Sequence, residues 1–129
     1  MKRTLLLSLV VVLILSACKK KNEEVIISLQ GKWTAESDVY KEYNNSTLTS
    51  TYTYTYEKTT FDFQSNNNLL IKDEYGTETL PYTIQNGTTV TFAGDTYEIK
   101  NLTAKSVVLY YREEYAPGEY MEYFINLKK

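Results

Sequence analysis

Apolar and polar residues alternate along most of the chain from Leu29 to the C-terminus. For example, Leu80, Tyr82 and Ile84 alternate with proline, threonine and glutamine. A period of two is typical of a β-strand, because successive side chains point to opposite faces. The pattern predicts eight strands, at 31–43, 50–64, 68–74, 78–85, 88–92, 95–101, 106–114 and 119–128. No segment beyond residue 17 shows a convincing helical period.

Short turn signals separate the predicted strands. Asn86-Gly87 is a strong hairpin signal, because both positions tolerate a positive φ. Further clusters of turn-forming residues lie at 66–68, 75–76, 93–95 and 116–118. Eight strands joined by short turns favour an antiparallel up-and-down meander, and closing that meander removes its exposed edges. We therefore predict an all-β domain over residues 29–129, folded as an eight-stranded antiparallel up-and-down barrel.

The predicted strand 50–64 contains a change of parity. Its three tyrosines share one parity and its two phenylalanines the other: Tyr52, Tyr54 and Tyr56 against Phe61 and Phe63. One solution is a β-bulge at Glu57-Lys58, which turns both charges outward and every aromatic side chain inward. The other is an unbroken strand that exposes a ladder of tyrosine and threonine. Burying Glu57 without a partner would cost several kcal/mol. The bulge avoids this cost, so we expect the bulge.

The first 17 residues have the pattern of an export signal. Lys2 and Arg3 precede an apolar run, from Leu5 to Leu15, that would span only about 17 Å as a helix. A hydrocarbon core is about 30 Å thick, so the run fits a signal peptide better than a membrane anchor.

The tetrapeptide Leu15-Ser16-Ala17-Cys18 resembles the lipobox of bacterial lipoproteins. The resemblance implies removal of residues 1–17 and acylation of Cys18 by fatty acids such as palmitate. Residues 18–28 would then be the lipidated cysteine and a solvated tether. Lys19, which follows Cys18, resembles the sorting position of lipoproteins sent to the outer membrane, on its periplasmic or cell-surface side. The alternative is an ordinary secretory signal, which would leave a free thiol in an oxidising compartment.

Composition narrows the possible chemistry. A chain of 129 residues is long enough for one ordinary domain. It has no histidine and one cysteine, which excludes catalysis by Ser-His-Asp or Cys-His, an internal disulfide and a histidine or cysteine zinc site. With 14 basic and 16 acidic side chains, the chain has no electrostatic basis for holding nucleic acid. We expect a non-enzymatic protein with no catalytic residues, metal or cofactor.

The start of the first predicted strand, Gly31-Lys32-Trp33, resembles the Gly-x-Trp signature of lipocalins. Together with the lipobox, Phe61-Asp62-Phe63 and the hairpin 82–87, it makes the chain similar to lipocalin-like lipoproteins of the Bacteroidetes type. The resemblance implies a cup-shaped barrel. It also implies that Trp33 closes one end and packs against a late arginine, for which Arg112 is the candidate.

Aromatic side chains dominate the predicted barrel interior. The candidate ligand-binding residues are Trp33, Tyr52, Tyr54, Tyr56, Tyr82, Tyr97, Tyr111 and Tyr123. Tyrosine rings stack on a ligand and their hydroxyls hydrogen-bond to it, so these residues would suit a small hydrophobic or amphipathic molecule. The same side chains could instead pack the core completely. In that case the protein would be an interaction module that docks a protein or an envelope polymer through its surface or loops.

Overall fold

The computed structural model describes residues 19–129, so the predicted signal peptide and Cys18 lie outside the described residues. Residues 19–29 form a helix, α1. Nine strands follow: β1 (Gly31–Asn44), β2 (Thr47–Thr55), β3 (Thr60–Phe63), β4 (Asn68–Lys72), β5 (Thr77–Gln85), β6 (Thr89–Phe92), β7 (Asp95–Lys100), β8 (Ser106–Ala116) and β9 (Glu119–Lys128).

Eight of these strands close into an antiparallel barrel. The ring runs β1-β3-β4-β5-β6-β7-β8-β9, and β9 pairs with β1 to close it. Consecutive strands are neighbours throughout the ring from β3 to β9, as in a meander. Strand β2 is the additional strand, and it pairs along the second half of β1, from Ser37 to Asn44, on the edge of β1 that β3 occupies from Gly31 to Thr34. The predicted eight-stranded barrel is therefore confirmed, with one additional strand.

The additional strand exists because the predicted strand 50–64 is interrupted at the expected bulge. Glu57 and Lys58 are exposed, and Thr59 beyond them is buried. The Ala35 N–H donates to the carbonyl oxygen of Thr59 at 2.9 Å, so β1 holds the chain on the far side of the interruption. The Tyr56 hydroxyl reaches the buried Asp38 and Phe61 is also buried, so residues on both sides of Glu57-Lys58 face inward, which confirms the bulge. Tyr52 and Tyr54 nevertheless remain largely exposed.

Strand β1 carries a bulge of its own at the same level, which the sequence pattern did not reveal. Its pairing with β9 shifts by one residue between Ala35 and Ser37. Trp33 and Ala35 are buried before the shift, whereas Asp38 is the buried residue after it. The two bulges lie side by side, joined by a 3.1 Å hydrogen bond from the Tyr56 N–H to the Glu36 carbonyl. Both strands therefore bend together, and their inward-facing parity changes at one level.

Aromatic side chains fill the middle of the barrel. Phe92 stacks on Tyr97 with ring centroids 4.7 Å apart, and Phe63 meets Tyr82 edge-on at 5.2 Å. Aliphatic residues complete the packing, and Leu69, Val90 and Leu109 are fully buried. The interior is thus a dense aromatic and aliphatic core.

Helix α1 covers the end of the barrel at which β1 begins, which we call the lower or closed end. The expectation that no helix follows residue 17 is therefore wrong. Leu29, its last residue, is fully buried, and the Trp33 indole N–H donates to the Leu29 carbonyl at 2.7 Å. The Asn22 side-chain oxygen accepts a 2.9 Å bond from the Gly87 N–H in the turn 86–88. The region given as a solvated tether is therefore folded against the barrel from residue 19 onward. Among residues 19–129, no helix is long and apolar enough to cross a bilayer.

The cation above Trp33 differs from the one that the lipocalin resemblance implied. The ammonium nitrogen of Lys129 lies 4.4 Å from the Trp33 ring centroid, and it also donates to the Gln30 carbonyl at 3.0 Å. The Arg112 guanidinium lies instead 3.8 Å from the ring centroid of Tyr120. Register explains the difference, because Arg112 pairs with Glu122 while the end of β9 reaches the level of Thr34. The C-terminal lysine therefore takes the place given to Arg112.

Candidate functional site at the open end

One wall of the barrel rises above the core at the end opposite to α1. Strand β7 last pairs with β8 at Tyr110, yet β8 continues to Ala116 in its pairing with β9. Likewise, β1 continues to Asn44 between β2 and β9. The order β2-β1-β9-β8 therefore forms a tall four-stranded wall with one face toward the barrel axis.

A row of four tyrosines crosses the inner face of this wall. Tyr40 pairs with Tyr52 of β2 on one side and with Tyr123 of β9 on the other, and Tyr123 pairs with Tyr111 of β8. Directly paired residues share a face, so all four rings point the same way. We call Tyr52, Tyr40, Tyr123 and Tyr111 the tyrosine row. The Tyr40 and Tyr123 rings lie 4.4 Å apart, and Tyr40 is 37% exposed.

A buried carboxylate lies directly below the tyrosine row. Asp38 is two residues before Tyr40 on β1, faces inward and is only 4% exposed. Its Oδ2 atom accepts hydrogen bonds from the hydroxyls of Tyr56 and Tyr123. Its Oδ1 atom is buried and has no hydrogen-bond partner within residues 19–129. An unpaired acceptor of this kind costs about 1–3 kcal/mol, so it needs an explanation.

Burial raises the pKa of Asp38 above its ordinary value of 3.8, and the hydrogen bonds from Tyr123 and Tyr56 oppose the rise. Asp38 therefore holds its proton more tightly in the folded state than an exposed aspartate does. The stability that this preference supplies is complete below about pH 3.8 and is lost as the pH rises through the folded pKa. The pKa values of Tyr56 and Tyr123 are also raised, by burial first and then by their bonds to Asp38. At neutral pH both phenols keep their protons and remain donors.

Two more acidic side chains lie above the tyrosine row on the same face. Glu42 of β1 and Glu113 of β8 both pair with Met121 of β9. The rows at the levels of Asp38, Tyr40 and Glu42 contain no lysine or arginine across these four strands. The inner face of the tall wall is therefore aromatic and acidic.

The cations of this wall lie on its outer face. Lys41, between Tyr40 and Glu42, has its ammonium nitrogen 5.2 Å from the Phe124 ring centroid. Arg112 covers Tyr120, as described above. These contacts hold positive charge on the solvent side of the wall and leave the inner face to the carboxylates.

An open cleft of about 360 Å³ adjoins this inner face. It lies between the end of β2 with its bulge and the turn between β4 and β5. Tyr54, Tyr56 and Tyr75 supply its aromatic lining. Its charged lining residues are three carboxylates and one lysine: Glu57, Asp73, Glu74 and Lys58. The cleft gives a small molecule room next to Tyr54 and Tyr56, whereas the four tyrosines of the row do not line it.

The structure divides the predicted interior residues into two groups. Trp33, Tyr82 and Tyr97 are buried in the core or at the closed end, where burial raises the pKa of Tyr97 to about 12. The others lie at the open end. Of these, Tyr56, Tyr111 and Tyr123 are half-buried, whereas Tyr52 is 59% and Tyr54 65% exposed.

Comparison of the chain with protein-family models, curated proteins and solved structures finds no match. The feature shared with the lipocalin pattern is the eight-stranded antiparallel barrel itself. The site is therefore described by its own geometry: a tyrosine row, a buried carboxylate below it and two carboxylates above it.

Asp38 was absent from the residues that the sequence singled out. With Trp33 and Ala35 facing inward, uninterrupted alternation places residue 37 inside and residue 38 outside. The bulge after Ala35 reverses that assignment. The residue types give no clear signal either. Ser37, Asp38 and Val39 do not by themselves show which of them faces the barrel interior.

Proposed function

We propose that this protein is a lipid-anchored, non-enzymatic binding protein of the bacterial outer membrane, similar to lipocalins, that holds a small amphipathic ligand at the open end of its barrel. The observation that carries the proposal is the tyrosine row, four aromatic rings on the accessible inner face of the tall wall. Tyrosine rings offer flat apolar faces and polar hydroxyls, which suits a ligand with both characters.

The dense core favours a ligand at the open end over one deep inside the barrel. Phe92 meets both Phe61 and Phe63 edge-on in the middle of the barrel, and each of the three is at most 6% exposed. An eight-stranded barrel has room for side chains or for one small ligand. Here the side chains occupy the middle, and the cleft beside Tyr54 supplies the space.

The distribution of charge supports anchoring by the lower end. Seven lysines lie at this end, in α1, in the nearby ends of β1 and β9 with the residue after β9, and in the turn before β8: Lys19, Lys20, Lys21, Lys32, Lys105, Lys128 and Lys129. A lipid on Cys18, immediately before α1, would bring these lysines to the membrane surface, where anionic headgroups attract them. The open end would then point away from the bilayer, accessible to a ligand.

The anchoring part of the proposal is tested on Cys18. We expect the protein isolated from membranes of its own bacterium to begin at Cys18 and to carry fatty acyl chains, as measured by intact-mass spectrometry. Cys18→Ser should move the protein from the membrane to the soluble fraction, because a chain without its acyl groups has no durable anchor. An unmodified Cys18 in native material would show that the anchoring proposal is wrong.

The binding part is tested by native mass spectrometry of the same material. We expect a small molecule to remain bound, and Tyr52→Ala to weaken its binding about tenfold through loss of one stacking face. Tyr120→Ala is the matched control, because it removes a tyrosine from the outer face of the same wall. Equal loss in both variants would contradict the assignment to the inner face. Protein without any bound molecule would favour the docking module instead.

A further inference from the structure

We infer that the open-end site is selective for an organic cation, namely an ammonium group bearing at least one N–H and attached to an apolar ring or chain. The inference rests on the proposed function and adds the charge and the hydrogen-bonding character of the ligand.

The first argument is the unpaired oxygen of Asp38. Its Oδ2 atom is saturated by two phenol donors, while the buried Oδ1 atom has none among the described residues. The Oδ1 atom, beneath a row of aromatic rings, can therefore accept a hydrogen bond from a donor group of a ligand. An ammonium N–H supplies both the donor and the opposite charge.

The second argument is the sign of the charges around the tyrosine row. Asp38 lies below Tyr40 and Glu42 above it, each two residues away along β1 and therefore about 7 Å from Tyr40 by strand geometry. Glu113 adds a third carboxylate two residues from Tyr111 on β8. No basic side chain belongs to these inner rows within residues 19–129, since Lys41 and Arg112 cover rings on the outer face. The cleft beside Tyr54 contains one lysine, Lys58, and three carboxylates. A cation at the row is attracted from both sides, and an anion is repelled.

The third argument is the kind of surface that the row presents. A cation is attracted to the face of an aromatic ring, and cages of several rings are typical sites for ammonium ligands. Tyr40 and Tyr52 present partly exposed rings at the row, and Tyr54 adds another beside the cleft. Carboxylates alone would suit a metal ion equally well, whereas aromatic faces between carboxylates favour an organic ammonium.

Access to the buried oxygen depends on Tyr54. This residue pairs directly with Asp38 across β1 and β2, is 65% exposed and meets the Tyr56 ring edge-on at 5.1 Å. Exposed side chains change rotamer within nanoseconds. Tyr54 lines the cleft and is the β2 partner of Asp38, so we expect its rotation to control access of a ligand to Asp38.

The test compares three probes of similar shape by calorimetric titration at neutral pH: phenethylammonium, its neutral analogue phenethyl alcohol, and the anion phenylacetate. The sample is the full lipidated protein in detergent. We expect phenethylammonium to bind at least about tenfold more tightly than phenethyl alcohol, and phenylacetate to bind most weakly. Added salt should reduce the preference for the ammonium probe.

Asp38→Asn is expected to remove most of this preference while retaining the affinity for phenethyl alcohol. The amide fills the same space without the charge. Asp62→Asn is the matched control, because it removes an acidic side chain of β3 near the closed end. Thermal unfolding of each variant checks that the barrel is intact. If Asp38→Asn does not fold, Glu42→Gln and Glu113→Gln on the accessible rim provide the same comparison.

The outcomes separate the two proposals. Equal affinity for phenethylammonium and phenethyl alcohol, both weakened by Tyr52→Ala, would overturn the cation inference and leave the open-end site in place. A preference for phenethylammonium that survives in Asp38→Asn and in both rim variants would also overturn it, because the carboxylates would not be its source. Absence of binding by all three probes would overturn the cation inference together with the proposed open-end site.

Discussion

Replacing Trp33 by alanine is expected to lower the free energy of unfolding by about 3–5 kcal/mol, which is a large share of the stability of an ordinary domain. The indole is fully buried, donates to the Leu29 carbonyl and lies beneath the Lys129 ammonium. Its removal leaves a cavity at the closed end and also detaches the end of α1 from β1. Denaturant titration followed by circular dichroism measures the loss.

Trp33→Phe is the informative companion. It keeps most of the ring packing but removes the indole N–H, so the Leu29 carbonyl loses its 2.7 Å donor. We expect a smaller loss of about 1–3 kcal/mol. If Trp33→Ala unfolds at the same denaturant concentration as the wild-type protein, then Trp33 and α1 do not close the barrel as described.

Deleting Glu57 and Lys58 together is expected to be nearly as damaging, although both side chains are exposed. The deletion removes the two residues that form the break and leaves the tyrosines and the phenylalanines at opposite parity. Either the phenylalanines of β3 or the tyrosines of β2 must then point outward. Phe61 and Phe63 are 6% and 1% exposed, and the burial of each contributes about 1.5–3 kcal/mol. We therefore expect a loss of about 3–6 kcal/mol in the free energy of unfolding.

The control keeps the chain length and removes only the two charges. Glu57→Ala combined with Lys58→Ala should change stability by no more than about 0.5 kcal/mol, because both side chains are exposed and lie away from the core. Chemical denaturation of the two variants in parallel provides the comparison. A deletion variant as stable as the double alanine variant would mean that the bulge does not determine which side chains face inward.

The barrel could be predicted because the alternation in the second half of the chain is regular. From β4 to β7 the buried positions follow the period of two, and short turns such as that at Asn86 and Gly87, with φ of 53° and 63°, leave little freedom of topology. The bulge at Glu57 was predictable for a different reason. Two aromatic sets of opposite parity flank a pair of charges, and only a break allows both sets to be inside.

Helix α1 and Asp38 escaped prediction because their signals are local and weak. The apolar residues of α1 are few, Val25, Ile26 and Leu29 among them, and they follow a run of charged residues that reads as a tether. The inward position of Asp38 depends on the bulge in β1. No conflict of parity in the sequence reveals that bulge, because the residues near it are small or polar, or suit either face of the strand. Lys129 lies above Trp33 because of the register of β9, which local sequence does not specify.

The molecule has a single tryptophan and 13 tyrosines. Trp33 belongs to the closed end, beside α1, whereas Tyr40 and its neighbours belong to the open end. Indole emission is therefore a built-in probe of how α1 docks on the barrel. Phenol emission also includes Tyr82 and Tyr97 of the core, and its change on ligand addition reports on the exposed rings of the opposite rim. One unlabelled sample can follow both ends through its ultraviolet spectrum alone.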